Sequence, residues 1–358
     1  MSFDDELRKY RDAINRIDDQ MLDLLSQRGE LVKLVWAFKE KHQVEPYVAS
    51  REKMIHQRLE KLNRGPLSNE SIKTIFQEIM SACLALEKPL KIAFLGPEAT
   101  FTHQAALSHF GQSAQFVEVS TIGGIFAEVE KKQCSYGVVP VENSNEGSVY
   151  QTLDMFIETP LRICGEISLV ISLYLMSSAE RISDVKVIYS HPQALAQCSR
   201  WLANNLPEIP VHSALSTAVA ARKAAEEEGA AAIASKLTAT LYNLHVLKEK
   251  IEDFAQNYTR FWVIGAQSPE RSGHDKTSIM FAIKDESGAL CSAIGPLSQH
   301  GINMTKIESR PLKNHPWEYI FFADVEGHVE DANISNALKE IEARASFLKI
   351  LGSYPSGL

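Results

Sequence analysis

Apolar residues recur over the first 41 positions with the spacing of one long amphipathic helix. Between Phe3 and Lys41 there is no proline, and the single glycine is Gly29. At roughly 100° per residue, Leu7, Ile14, Ile17, Met21, Leu24 and Val35 share one arc, while Asp12, Arg16, Asp19, Asp23 and Glu30 oppose it. Past the breaker Pro46, the same period predicts a second helix over 50–63, stopped by Arg64-Gly65-Pro66, and a third over 69–88, closed by Pro89. A helix of about 40 residues reaches about 60 Å. A lone three-helix unit cannot cover that length, so the pattern predicts a dimer of interlocked long helices.

From Lys91 the pattern changes to short β-like runs alternating with helical ones. Strands are expected at 91–96, 115–119, 136–141, 163–176, 185–190 and 231–234. Helices are expected at 102–110, 122–131, 151–157, 192–204 and 216–227. Such alternation predicts an α/β layer structure, ending near Phe261-Trp262-Val263-Ile264-Gly265. Residues 266–275 are polar, hold Pro269 and Gly273, and read as a linker. A β-α-β-β-α-β run follows, with strands at 277–283, 302–310, 318–325 and 347–354 and helices at 288–300 and 331–345. That order predicts an α+β ferredoxin-like plait. Three domains are thus expected, at 1–90, 91–267 and 277–355.

Composition narrows the partners more than the fold. With 45% hydrophobic and 23% charged residues, the chain has a soluble globular composition. Its net charge of -8 argues against nucleic acid. There is no signal-like or membrane-spanning apolar run. Cys83, Cys134, Cys164, Cys198 and Cys291 are odd in number and widely spaced, and the histidines are scattered. Neither set has metal-ligand spacing, so no metal is expected, and reduced thiols imply a cytoplasmic location.

Two cations interrupt the apolar arc of the first helix. Arg28 and Lys39 project about 20° apart near its centre. A charge on a buried face is costly unless an anion meets it. Arg11 lies about 80–100° away on the wheel, too far to share a pocket from one helix but able to reach a partner's pocket in a dimer. Arg51 and Glu52 open the second helix, and Cys83 and Glu87 share a face of the third. The cations could instead extend to the helix edge or pair with Glu52 and Glu87.

This block resembles the helical chorismate mutases, whose first helix carries three cations spaced as Arg11, Arg28 and Lys39 and whose second begins with Arg-Glu. The resemblance implies that Arg28 and the partner chain's Arg11 bind the two carboxylates of chorismate. Lys39 and Glu87 would face the breaking ether oxygen, and Glu52 the ring hydroxyl. Val48 stands where an Asp often assists, and Glu87 where a Gln is common. A carboxyl donates a hydrogen bond only when protonated. Mutase activity is therefore expected to fall as pH rises through the Glu87 titration, and Glu87→Gln to flatten the pH–rate profile.

In the second block, Gly96-Pro97-Glu98-Ala99-Thr100-Phe101 and Val139-Pro140-Val141-Glu142-Asn143-Ser144-Asn145-Glu146-Gly147 both join a strand to a helix. Turns of this kind bind anions at helix N-termini, or simply cap the helix. With Tyr189-Ser190-His191-Pro192-Gln193 and Asn257-Tyr258-Thr259-Arg260-Phe261, they resemble the prephenate dehydratases. That implies a two-lobed domain like periplasmic binding proteins, with prephenate in the cleft losing CO2 and water to give phenylpyruvate. Thr259 matches the family's essential threonine, and Arg260 is a natural carboxylate partner beside Phe261. Thr100, Asn143, Ser144 and Gln193 are cleft candidates, with Glu142 and His191.

In the plait, Gly288-Ala289-Leu290-Cys291 opens a helix and Glu308-Ser309-Arg310-Pro311 ends a strand. Alone, these could be a plain turn and a salt-bridged strand end. In context they resemble ACT regulatory domains, which pair edge to edge and bind phenylalanine. Gly288, Ala289, Leu290, Asn303, Glu308, Ser309 and Arg310 form the implied effector neighbourhood. The combined expectation is a bifunctional enzyme of phenylalanine synthesis. It needs no cofactor, acts on chorismate and prephenate as a homodimer or tetramer, and is inhibited by phenylalanine. A dehydratase whose helical block only dimerises is the alternative, and a two-lobed sensor without catalysis is a further one.

Overall fold

The computed structural model of the chain describes residues 3–42, 49–86, 90–254, 257–284, 286–311 and 319–357. Val48 and Glu87 lie outside them. The chain divides into two compact units. The first contains α1 (Phe3–Lys41), α3 (Asn69–Ala85), most of α2 (Ala49–Leu62) and the segment Phe110–Gln115. Asp4, Asp5 and Glu6 in the first turn of α1, and Lys39 and Lys41 in its last, complement the helix dipole. Ser68 caps α3 by accepting from Ser71 N at 3.1 Å.

Only a narrow stripe of α1 faces its own unit. Gly29 is buried, and Arg28, Val32, Trp36 and Lys39 are half-buried at helical spacing. The rest of the apolar arc is open in the single chain, with Ile14 55%, Leu24 63% and Leu31 63% exposed.

The second unit holds two α/β lobes and the plait. In the first lobe the strand order is Gln115–Val119, Lys91–Leu95, Tyr136–Asn143, Tyr258–Gly265, Arg162–Val170. In the second it is His245–Lys248, Tyr174–Ser177, Ala230–Ala234, Val187–Ser190, Val211–Ser213. The chain crosses between lobes twice, after Val170 and before Tyr258. The crossings are tied where Ile171 N donates to Asn257 O at 2.8 Å. This is the two-lobed architecture that the resemblance implied. The apolar run 163–176, read from sequence as one strand, is in fact two strands in different sheets. Likewise 192–204 splits at Cys198 into Pro192–Gln197 and Ser199–Asn205.

The plait is a four-stranded antiparallel sheet ordered Met304–Pro311, Tyr319–Glu326, Asp275–Ile283, Phe347–Pro355. Helices Ala289–Gln299 and Ala332–Arg344 cover one face, burying Ile279, Phe281, Val325 and Ile341. The other face is also covered. Met280, Ile320, Phe322 and Leu351 share a core with Phe156, Ile163 and Trp262 of the first lobe. Strand Asp275–Ile283 is accordingly buried at every position but Ala282. Successive side chains on a strand point to opposite faces, so a strand covered on both sides loses its alternating pattern.

Candidate active site

A cleft of about 450 Å³ lies between the two lobes. Leu95, Thr100, Asn143, Thr259 and Phe261 line it from the first lobe, and His191, Gln193, Gln197 and Ser216 from the second. A directed hydrogen-bond chain crosses its floor. Asn143 Nδ2 donates to Thr259 Oγ1 at 2.8 Å and to Asn257 Oδ1 at 2.9 Å. Asn257 Nδ2 donates on to Gln197 Oε1 at 3.0 Å. Asn143 Oδ1 accepts from Asn145 N at 2.9 Å, which fixes the amide's orientation. Both amide protons of Asn143 are therefore committed. Thr259 Oγ1 receives one of them and keeps its own proton to donate.

Among the described residues the lining includes no Lys or Arg, and its one carboxylate is Glu146. Positive potential comes from helix starts instead. Thr100, Phe101 and Thr102 open helix Phe101–Phe110, and Ser216 and Thr217 open helix Thr217–Glu226. Backbone N–H groups there carry partial positive charge. His191 Nδ1 accepts from Gln193 N at 3.3 Å, which places the ring proton on Nε2. Ala99, in the turn before the first of these helices, sits at φ 62°, a left-handed conformation that costs a non-glycine residue about 1 kcal/mol.

Of the residues expected in the cleft, Thr100, Asn143, His191, Gln193, Thr259 and Phe261 line it. Glu142, Ser144 and Arg260 do not. Ser144 closes a local pairing, its Oγ accepting from Tyr258 N at 3.0 Å. Glu142 and Arg260 point to the opposite face because a strand alternates its sides. Arg260, expected as a carboxylate partner, lies off the cleft lining. Its Nε lies 2.7 Å from Glu166 Oε2 and its Nη1 2.6 Å from Asp324 Oδ2. Gln197, Leu215, Ser216 and Thr217 line the cleft without having been singled out in the sequence. Their one local signal was Ser216, a serine ahead of an alanine-rich helical run, and it caps that helix by accepting from Val219 N at 3.1 Å.

Behind the cleft, Glu166 is held by Lys276 at 2.8 and 3.0 Å as well as by Arg260. Burial alone would raise the Glu166 pKa, but the two cations bring it below its ordinary 4.5. A carboxylate so depressed stabilises the fold fully above pH 4.5, and that contribution is lost as pH falls through the folded value. Glu166→Gln should lower stability at neutral pH by about 3 kcal/mol, because buried Lys276 loses the carboxylate that meets it while Arg260 keeps Asp324. Calorimetric melts should show that deficit shrinking as pH falls below 4.5, where the unfolded wild-type carboxyl takes up a proton that the folded one still resists.

In the plait, Gly288, Ala289 and Leu290 line a second cavity of about 270 Å³ with Tyr319 and Phe321. Asn303, Glu308, Ser309 and Arg310 do not line it. Asn303 O accepts from Glu326 N at 3.0 Å. Ser309 pairs across the ladder with Phe321. Its neighbours face the reverse side, where Glu308 accepts from Ser148 at 2.9 Å and Tyr150 at 3.0 Å. Arg310 meets Asp154 through two hydrogen bonds of 3.0 and 2.8 Å. In the first unit, Cys83 is buried and Arg11 exposed. Arg28 Nη1 is buried with no hydrogen-bond partner among the described residues. Arg51 is exposed and Glu52 half-buried, both in the part of α2 that groups with the second unit.

Residues 92–269 match the prephenate dehydratase family, residues 10–88 the chorismate mutase type II family, and residues 277–343 the ACT domain. A bifunctional chorismate mutase/prephenate dehydratase from Aquifex aeolicus is 48% identical over 358 residues, covering 99% of each chain. One from Neisseria gonorrhoeae is 44% identical over 360 residues, covering 100% of this chain and 99% of the relative. Among solved structures, prephenate dehydratase from Arthrobacter aurescens in complex with L-Phe superposes with a TM-score of 0.69 at 32% identity. The match covers 75% of this chain and 90% of that one. The chain belongs to the family of bifunctional chorismate mutase/prephenate dehydratases, enzymes that join an isomerase and a lyase activity to an ACT domain.

Proposed function

We propose that prephenate binds between the lobes with its ring hydroxyl at Thr259, and that Thr259 donates a hydrogen bond to the departing oxygen. The polarity of the Asn143–Thr259 pair carries this reading, because it leaves the threonine proton free for the substrate. Aromatisation drives loss of CO2 and hydroxide, so the protein has to position the substrate and stabilise the leaving oxygen. The helix starts at Thr100–Thr102 and Ser216–Thr217, with His191 Nε2, are the donors for its carboxylates. They stand in for a cation, which the described lining residues do not supply.

Chorismate is rearranged at a site built around Arg28 and Lys39 and completed by Arg11 from a second copy. The unsatisfied, buried Arg28 Nη1 and the exposed apolar arc of α1 support both parts. The buried Cys83 of the same unit would add to its wall. The assembly is a homodimer, or a tetramer of two such dimers, in the cytoplasm. Phenylalanine occupies the cavity at Gly288–Leu290, where Phe321 and Tyr319 offer aromatic surface and the start of helix Ala289–Gln299 offers backbone donors. The pure protein should convert chorismate, and separately prephenate, to phenylpyruvate seen by ultraviolet absorbance, and phenylalanine should slow the second step. Turnover of prephenate without turnover of chorismate would favour the reading in which the helical block only dimerises.

A further inference from the structure

Two adjacent strands of the first lobe each carry a cleft residue next to a charged residue on the reverse face. Strand Tyr136–Asn143 places Asn143 in the cleft and Glu142 behind it. Strand Tyr258–Gly265 places Thr259 in the cleft and Arg260 behind it. The ladder pairs Thr259 with Asn143 and Arg260 with Glu142. Its register then shifts between Arg260 and Phe261. A bulge disrupts the local ladder and re-aims the side chains beside it. The ladder to strand Arg162–Val170 stays in register through this point, pairing Thr259 with Leu169 and Arg260 with Ser168. The bulge thus loosens one side of the strand, and the aim of the side chains there depends also on their own partners.

Beyond the ladder and Glu166 of the same lobe, Arg260 is tied by the plait. Arg260 Nη1 lies 2.6 Å from Asp324 Oδ2, and its Nη2 donates to Tyr354 Oη at 3.2 Å. Ser278 Oγ donates to Asp324 Oδ1 at 2.5 Å and lies 2.7 Å from Tyr354 Oη. Lys306 Nζ meets Glu142 at 2.9 Å, and Lys276 meets Glu166 at 2.8 Å. Lys276, Ser278, Lys306, Asp324 and Tyr354 all belong to the plait, whereas Glu142, Glu166 and Arg260 belong to the dehydratase lobe. The Asp324 and Glu166 side chains are only 4% and 1% exposed. A buried ion network adds little stability over apolar packing of the same volume. It does add direction, because a guanidinium fork accepts its partners in few geometries.

We infer that Arg260 is a positioning residue that aims Thr259 into the cleft, and that Asp324 and Tyr354 of the plait complete its setting. The working dehydratase site is then built from two domains, and plait residues that never touch prephenate set its turnover. This rests on the assignment of Thr259 as the hydrogen-bond donor. It contrasts with a role for Arg260 as a carboxylate anchor, which would appear in substrate affinity instead.

Steady-state kinetics of full-length Asp324→Asn, Tyr354→Phe and Arg260→Lys test it, with Thr259→Val as control. Asp324→Asn should lower dehydratase kcat about tenfold and Tyr354→Phe about threefold, with prephenate KM within twofold and chorismate turnover unchanged. Asp324→Glu should recover part of the loss. If Asp324→Asn does not fold, the single-hydroxyl change in Tyr354→Phe decides alone. Wild-type kcat in both plait variants overturns the inference, as does an Arg260→Lys enzyme whose KM rises at unchanged kcat. A fully active Thr259→Val removes the underlying assignment instead, so the two failures are told apart.

Discussion

Thr259→Ala is expected to lower dehydratase kcat about 10²–10³-fold, the usual cost of removing one donor aimed at a developing negative charge. Chorismate turnover by the same protein should stay at its starting rate. The change deletes the hydroxyl that faces the cleft and also leaves the Asn143 amide, which donates to it at 2.8 Å, without that partner. A threonine has no titrating proton near neutral pH, so the loss should be nearly constant across pH. Thr259→Ser keeps the hydroxyl and should retain most of the rate. Phenylpyruvate absorbance from prephenate and the disappearance of chorismate measure the two activities side by side. Equal loss of both in Thr259→Ala would argue against separate sites.

The second large effect concerns the mutase. Arg28→Ala and Arg11→Ala should each nearly abolish chorismate turnover while prephenate turnover persists, because in the proposed site each removes a cation facing a substrate carboxylate. Mixing the two inactive proteins under conditions that let chains exchange should restore activity. In a mixed dimer, one site receives Arg11 from one chain and Arg28 from the other, both intact, while the second site lacks both. Random exchange should therefore recover about one quarter of wild-type turnover, as two-fold symmetry requires. Chorismate absorbance before and after exchange is the readout. No recovery in a mixture shown to contain mixed dimers would mean that Arg11 and Arg28 serve the same chain's site.

Periodicity made most elements visible. The helix over Phe3–Lys41 was legible to its ends because no proline breaks it in 39 residues. The plait was legible because each element is bounded by turn residues such as Gly288 and Gly327. The division of 163–176 was not, since apolar strands of two different sheets have the same composition and the crossover between them, at Ile171, is apolar too. Strand Val211–Ser213 is only three residues long and exposed throughout, so it has no buried face to mark.

In the site, the Thr259 and Asn143 motifs pointed to the cleft because strand ends carry them there. Arg260 did not follow its neighbours because one residue along a strand reverses the side chain, and motif membership holds no information about side. Glu308 and Arg310 follow the same logic, flanking Ser309 on the reverse face of its strand. The second lobe's wall at Leu215–Thr217 came together only through the fold, as nothing local distinguishes it from any capped helix start.

The plait face that carries Met280, Ile320, Phe322 and Leu351 is sealed against the catalytic lobe rather than turned to water. Cutting the chain ahead of strand Asp275–Ile283 would remove the plait. Here that cut would bare a large apolar sheet and strip Glu166 of Lys276. A variant meant to escape control by the plait is therefore expected to need the plait kept whole, with single side chains changed in the cavity at Gly288–Leu290.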